Sequence, residues 1–215
     1  MAVIFPRWTN HVPVALVLGA PFALVGVVAF IWYYFSPQYT QVGYAPPQPV
    51  PFSHKLHAGD LGMDCVYCHT TVEDAAFAAV PPTATCMNCH AQVATDSPQL
   101  ALVRRAYETG EPIPWVRVHM LPDYANFDHS VHVAAGVGCA SCHGRIDQME
   151  VVYQAESLSM GWCLDCHRNP EPHLRPRSEV TNMDWDAQAA GYDPAADPHR
   201  MRDLNPPQHC SGCHQ

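Results

Sequence analysis

All ten cysteines of the 215-residue chain fall into five pairs of one spacing, and a histidine closes every pair: Cys65-Cys68-His69, Cys86-Cys89-His90, Cys139-Cys142-His143, Cys163-Cys166-His167 and Cys210-Cys213-His214. No cysteine is left over. With 14 His in 215 residues, chance would fill those five slots with histidine roughly once in a million, so the pattern is a covalent attachment signature for c-type haem. Two cysteines three apart on a helical turn point the same way and can both form thioethers with the vinyl groups of one porphyrin. The adjoining histidine then reaches the iron as proximal ligand. Zinc binding and paired disulfides are the alternatives that Cys-x-x-Cys alone would favour, and the recurrent histidine argues against both. The expected cofactor is five covalently bound haem c.

Further histidines stand upstream of the pairs. Phe52-x-His54-x-x-His57 precedes the Cys65 and Cys86 motifs, and Phe127-x-His129-x-x-His132 precedes the Cys139 and Cys163 motifs, with His54 and His129 75 residues apart. Each repeat thus offers two extra histidines for two haem motifs, one sixth ligand for every iron. Histidines three apart on a helical turn have Cβ atoms roughly 5 to 6 Å apart, so ligating two irons from them draws two haems together. The fifth motif has no such repeat of its own. His119, between the repeats, is the first choice for its sixth ligand and would staple the tail to the body. His173, His199 and His209 are alternatives, and Met183 or Met160 would give His/Met ligation with a raised potential.

Other residues near the motifs read more plainly. His11 lies at the start of an apolar segment and reads as an interfacial side chain. Asp64, Asp128 and Asp165 read as solvated carboxylates. Phe52, Phe127, Trp115, Trp162 and Trp185 either pack on haem faces or fill the core.

The elements that must position these groups are suggested by composition. With 21 Pro, 12 Gly and only 14% charged residues, the backbone is expected to be mostly irregular with short helices. The formal charge of -9 and the lack of any basic stripe exclude a nucleic-acid partner. Residues 13–35, "PVALVLGAPFALVGVVAFIWYYF", carry no charge, and at about 1.5 Å per residue they suffice to cross a hydrocarbon core of roughly 30 Å. The bulky "IWYYFSPQYT" that follows does not resemble a small-residue signal-cleavage site, so one retained transmembrane helix in the lipid bilayer is expected. Arg7 precedes this helix and no Lys or Arg follows before Lys55, which keeps the amino terminus cytoplasmic and places the haem domain on the periplasmic side of the inner membrane. Trp32, Tyr33 and Tyr34 would form the outer aromatic belt. Ala15, Gly19 and Ala23 share one face, where a helix of a partner membrane subunit could approach.

The resulting division is a cytoplasmic amino terminus at 1–12, a transmembrane helix at 13–35 and a proline-rich linker at 36–51, read as an extended spacer. A first dihaem module at 52–118 follows, then a second at 119–180 and a tail carrying the fifth haem at 181–215.

The F-x-H-x-x-H motif ahead of C-x-x-C-H resembles the class III cytochrome c family, which includes cytochromes c3 and c7. That resemblance implies that His54 caps the haem of His69, His57 that of His90, His129 that of His143 and His132 that of His167. The longer stretch "WVRVHMLPDYANFDHSVHVAAGVGCASCHGRIDQMEVV", followed by "LSMGWCLDCHRNP", is similar to the pentahaem cytochrome c subunit of alternative complex III. The similarity extends to five motifs, one amino-terminal helix and the total length. It implies an electron-transfer subunit of a multisubunit menaquinol oxidoreductase, not an enzyme on its own, that delivers electrons to a periplasmic acceptor such as a cytochrome c, a blue-copper protein or a terminal oxidase.

Two rivals remain at this stage. One is a stand-alone membrane-anchored multihaem quinol dehydrogenase feeding a periplasmic reductase. The other is a catalytic reductase of small oxyanions, which would need an open iron and which the abundance of histidine disfavours. Denaturing mass spectrometry of the mature protein is expected to show five haem masses on the polypeptide; three or fewer, or bound zinc, would overturn the attachment reading.

Overall fold

The computed structural model describes residues 5–197 and 204–214. The chain divides into two compact units, Met1–Gln41 and Val42–Gln215.

The first unit is built on helix α1 (Val12–Tyr34), which follows a 3-10 turn at Arg7–His11. Leu, Val, Ala and Phe dominate it and none of its side chains is buried. Pro21 sits inside without ending it. Together the turn and helix, Arg7–Tyr34, are long and apolar enough to cross a membrane. The helix stops where Phe35 donates back to the Ile31 carbonyl and Ser36 leads into the short α2 (Pro37–Thr40). Tyr39 packs on Tyr34 at 4.7 Å and on Tyr33 at 5.6 Å between ring centroids, so the aromatic residues form one cluster at this end.

The second unit contains no strand among its described residues, only antiparallel bridges at Ala125–His214 and Val137–Leu174. Its helices are short: α3 (Cys65–Cys68), α4 (Thr83–His90), α5 (Ala101–Thr109), α6 (His129–Ala134), α7 (Ala140–His143), α8 (Met160–Arg168) and α9 (Ala187–Ala190). Four of the five Cys-x-x-Cys-His motifs lie on or against a helix of this set, and the fifth sits on a 3-10 turn, Cys210–Gly212. Asp64 caps α3 by accepting from the Val66 amide at 2.9 Å, and Ser159 caps α8 through the Trp162 amide. The carboxylates of Asp64 and Asp128, read from sequence as solvated groups, therefore serve as helix caps; Asp165 stays exposed in a 3.8 Å ion pair with Arg168.

One apolar cluster joins Val50, Val103, Ala106 and Ile113, with Cys86, Met87 and Trp115 packed against it. Its composition adds to the reading of residues 36–51 as an extended spacer. Val50 is only 5% exposed. Gln48 exchanges two hydrogen bonds with the Val116 backbone at 2.8 and 3.0 Å, and Gly43 and Tyr44 pair with the Gln154 backbone. Proline supplies the extended conformation, but buried apolar contacts and backbone pairing hold its second half on the body.

The same interlocking ties the two sequence repeats together. The Ala76 carbonyl, in the first repeat, accepts from both the amide and Nδ1 of His129 in the second. Arg145 grips buried Asp147 through two bonds of 2.9 and 2.7 Å and holds its carboxyl below the usual range. Gly59 faces the Asp147 carbonyl so closely that no Cβ fits there.

Glycine is also needed at the approach to the third motif. Gly136 has φ +86° and lies against the Arg175 carbonyl, while its own carbonyl accepts from the Arg175 amide at 2.9 Å. This pairing sets the strand-like run that delivers Cys139 to the Val180 carbonyl at 3.0 Å. Replacing Gly136 with Ala should destabilise the fold by more than about 1 kcal/mol. Gly161, in α8 with open space around it, should instead tolerate Ala with a small gain. Denaturant midpoints of the two variants check the contrast.

Candidate haem-binding site

A histidine that binds iron through Nε2 must keep its proton on Nδ1, and a fixed acceptor at Nδ1 enforces that tautomer. Seven of the expected ligands meet this condition. Nδ1 lies 2.9 Å from the Ser53 carbonyl in His57, 2.9 Å from Ala79 in His69, 3.0 Å from Val93 in His90 and 2.8 Å from Ala76 in His129. The remaining three are His132 to Asp128 at 2.7 Å, His167 to Pro207 at 2.7 Å and His214 to Tyr124 at 3.1 Å. All seven acceptors are main-chain carbonyls outside helices. Nε2 is thereby left with a bare lone pair at each ring.

The two F-x-H-x-x-H repeats build the same local object. Phe52 meets His54 edge-on at 4.9 Å and stacks on His57 at 4.4 Å. Phe127 meets His129 edge-on at 4.7 Å and lies over His132 at 4.5 Å. Both phenylalanines therefore pack on imidazoles, a contact that the sequence reading, which weighed haem faces against core filling, did not name. The residue between Phe and His starts the turn: Ser53 Oγ accepts from the Leu56 amide at 3.0 Å, and Asp128 Oδ1 from the Ser130 amide at 2.8 Å. The turns differ in winding. His129 and His132 ride on α6, whereas Lys55–Asp60 is π-helical, with the Leu61 amide reaching the Leu56 carbonyl.

These turns aim distal rings at proximal ones. The ring centroids of His57 and His90 are 6.2 Å apart, those of His132 and His167 6.1 Å, and those of His129 and His143 6.5 Å with the planes only 12° from parallel. Two imidazoles bound trans to one metal, with metal–nitrogen bonds of roughly 2.0 Å, have centroids about 6 Å apart. The three spacings fit a haem iron held between each pair. Among the described residues no group of three or more His, Cys, Asp or Glu side chains gathers closely enough to hold a bare metal ion, which a zinc ribbon requires.

Around the first and third motifs the histidines crowd. His119 lies 4.5 Å from His143, ring to ring, and His119 Nε2, His54 Nδ1 and His143 Nδ1 are buried with no hydrogen-bond partner in the protein. A buried orphan nitrogen costs free energy unless something binds it. Burial pushes the His143 imidazole down to about 3, with neighbouring His119 and His129 adding to the effect, and pushes His54 down to about 4. Burial also lowers His119 and His132. Neutral imidazole is the ligating form.

The cysteines sit beside these rings. The Cys65 and Cys139 thiols share a hydrogen bond that raises one and lowers the other, and burial pushes the Cys142 thiol up to about 12. None is in a disulfide.

The structure places the remaining sequence candidates less tightly. The His214 ring contacts Tyr124 at 5.7 Å, and among the described residues no ring contact joins it to His119. The tail is strapped instead by backbone: the Asn126 amide donates to the Cys213 carbonyl at 2.7 Å, and Ala125 bridges His214. His209 and Met160 are exposed, His173 and Met183 are half-buried, and His199 lies outside the described residues. The carbonyls that hold the rings were invisible in sequence because any residue supplies one; only Ser53 and Asp128, as capping types, carried a signal.

Comparison with known proteins agrees with this chemistry. Residues 125–215 match the family described as cytochrome c7 and related cytochrome c. Over 180 residues the chain is 32% identical to the menaquinone reductase, multiheme cytochrome c subunit, of Nitratidesulfovibrio vulgaris Hildenborough, an alignment that spans 73% of this chain and 83% of the relative. With ten cysteines in haem-attachment spacing and rings paired at iron-binding distance, the chain belongs to the multihaem cytochrome c family.

Proposed function

We propose that this chain is the membrane-anchored, pentahaem electron-relay subunit of a quinol oxidoreductase resembling alternative complex III, passing electrons from menaquinol oxidation to a periplasmic acceptor protein. The observation that supports this reading is the set of three facing histidine pairs at 6.1 to 6.5 Å, which would give an iron held between each pair two protein ligands and so favour electron transfer there over substrate binding. Bound haem supplies a reversible one-electron couple whose potential depends on axial ligands, hydrogen bonds and burial.

The chain's own residues do the rest. Cys65, Cys68, Cys86, Cys89, Cys139, Cys142, Cys163, Cys166, Cys210 and Cys213 would hold five haems covalently, with His69, His90, His143, His167 and His214 as their proximal ligands. His57, His129 and His132 would ligate at the sites of His90, His143 and His167, and His54 would do so at the site of His69. His119 is the fifth distal ligand, supported by its buried, unpartnered Nε2. Main-chain carbonyls at Nδ1 keep seven of these ten rings, those of His57, His69, His90, His129, His132, His167 and His214, in the ligating tautomer.

A second reading is favoured by the relative's name, which specifies menaquinone reductase. The same relay would then run toward the membrane, from a reduced periplasmic donor to menaquinone. Purified complex distinguishes the two when given a menaquinol analogue with oxidised cytochrome, and a menaquinone analogue with reduced cytochrome. Turnover in neither direction would overturn both.

Two outcomes are expected of variants. His132→Ala should convert one low-spin haem to high spin by EPR and keep all five haem masses, because attachment depends on Cys163 and Cys166; an unaltered low-spin spectrum would falsify the assignment. In the anchor, no described residue outside the local turn of helix lies within 4 Å of a Cβ added at Gly19. Gly19→Leu should therefore leave haem content intact and release the chain from its membrane partners during gentle detergent purification. Full retention in the complex would remove the packing face.

A further inference from the structure

We infer that the five attachment sites stand in single file in the order second, first, third, fourth, fifth, so that the sites of Cys86/Cys89 and Cys210/Cys213 are the two ends at which partner proteins exchange electrons with this chain. The inference rests on the haem reading above and adds what that reading leaves open, the spatial order and the ports.

Each junction has its own contact. The second and first sites meet where Asn88, between Cys86 and Cys89, donates to the hydroxyl of Tyr67, between Cys65 and Cys68, at 3.2 Å. Phe52 also fixes both His54 and His57, one for each site. The first and third sites meet through one segment: the Val180 carbonyl accepts from the Cys139 amide at 3.0 Å, and the next carbonyl, of Thr181, lies 4.0 Å from Cys65 Sγ. Thr181 Oγ1 also donates to the Asp64 carboxylate at the head of α3, at 3.0 Å.

The third and fourth sites share α6, which faces His129 to His143 and His132 to His167. The fourth and fifth sites meet where His167 Nδ1 donates to the Pro207 carbonyl at 2.7 Å and Gln208 donates to the His167 carbonyl at 3.4 Å. Among the described residues no such contact links the second motif to the third, fourth or fifth.

Exposure marks the same two ends. Cys89 and Cys210 are exposed, and the other eight cysteines are half-buried. A partner must come near an end site to exchange an electron, and the inner sites are screened by neighbouring motifs. The exchange balances without bond changes: a quinol-oxidising or reduced one-electron donor protein gives one electron at one end, and a one-electron acceptor protein takes one at the other.

The test uses a nitroxide amino acid at exposed Gln92, three residues past Cys89, in the purified complex. Relaxation-induced dipolar EPR then reads distances from the label to low-spin ferric haems. Double Cys→Ala variants delete one site at a time, and mass spectrometry verifies four haems in each. Deleting Cys86/Cys89 should abolish the shortest distance, Cys65/Cys68 the next, and Cys210/Cys213 the longest. Loss of either of the two shortest distances on deletion of the third, fourth or fifth site overturns the order. A Cys86→Ala/Cys89→Ala chain that keeps its full haem mass overturns the haem reading itself. For any variant that does not accumulate, the iron positions in a cryo-EM map of the unaltered complex give the order directly, and sequence order there would refute it.

Discussion

The structure depends on one repeated bond: a histidine Nδ1 donating to a main-chain carbonyl so that Nε2 is left to the metal. A carbonyl oxygen has two lone pairs, and one outside or at the start of a helix has the most freedom to turn toward a ring. The acceptors Ala76, Ala79, Val93, Tyr124 and Pro207 all lie in turns or extended runs, and Ser53 and Asp128 lie just ahead of the helical turns they begin. Irregular backbone thus supplies all seven acceptors, and the wealth of proline and glycine is in keeping with it. Pro207 shows the economy of the arrangement: it has no amide to satisfy, yet its carbonyl orients His167.

Attachment chemistry was legible in the sequence because it is written in side chains at fixed offsets. The Cys-x-x-Cys-His pattern needs no tertiary structure to be recognised, and the two F-x-H-x-x-H repeats fold into matching Phe–His geometries. What sequence could not show is contact between distant segments. The Ala76 carbonyl that orients His129 is 53 residues upstream, and nothing in the side chain of alanine announces it. The proline-rich run from Ser36 looked like a spacer because composition reports stiffness and not burial; Val50, buried among Val103, Ala106 and Ile113, anchors its far end. The tail shows the same limit. A lone histidine between repeats is the first staple that sequence suggests, and the structure adds a strap of Cys213 and His214 by the backbone of Tyr124, Ala125 and Asn126 that no side chain announces.

Interlocking of the repeats has an energetic reason. Among the described residues the second unit buries few apolar side chains, four of them in the cluster around Val103, and domains with little buried apolar surface are marginal without further constraint. Long-range polar ties supply part of it. Arg145 links buried Asp147 to Asp184 at 2.9 Å, and Thr181 reaches Asp64 across 117 residues. Those ties converge on the first and third motifs, where the thiols of Cys65 and Cys139 meet.

Equal motifs do not make equal sites. His57 and His132 are each held by the carbonyl four residues back in their own turn, so the turn fixes their tilt. His129 is held from the other repeat. Its ring stands within 12° of the His143 plane, whereas His57 and His90 cross at 65° and His132 and His167 at 37°. Burial separates the sites further: it drives His143 down to about 3, and eight cysteines are half-buried while Cys89 and Cys210 are open to solvent. Potentials in this class of protein follow axial geometry, hydrogen bonding and solvent exposure, not the attachment motif. A chain with five identical signatures can therefore grade its sites along a line, because the grading is done by segments that carry no signature.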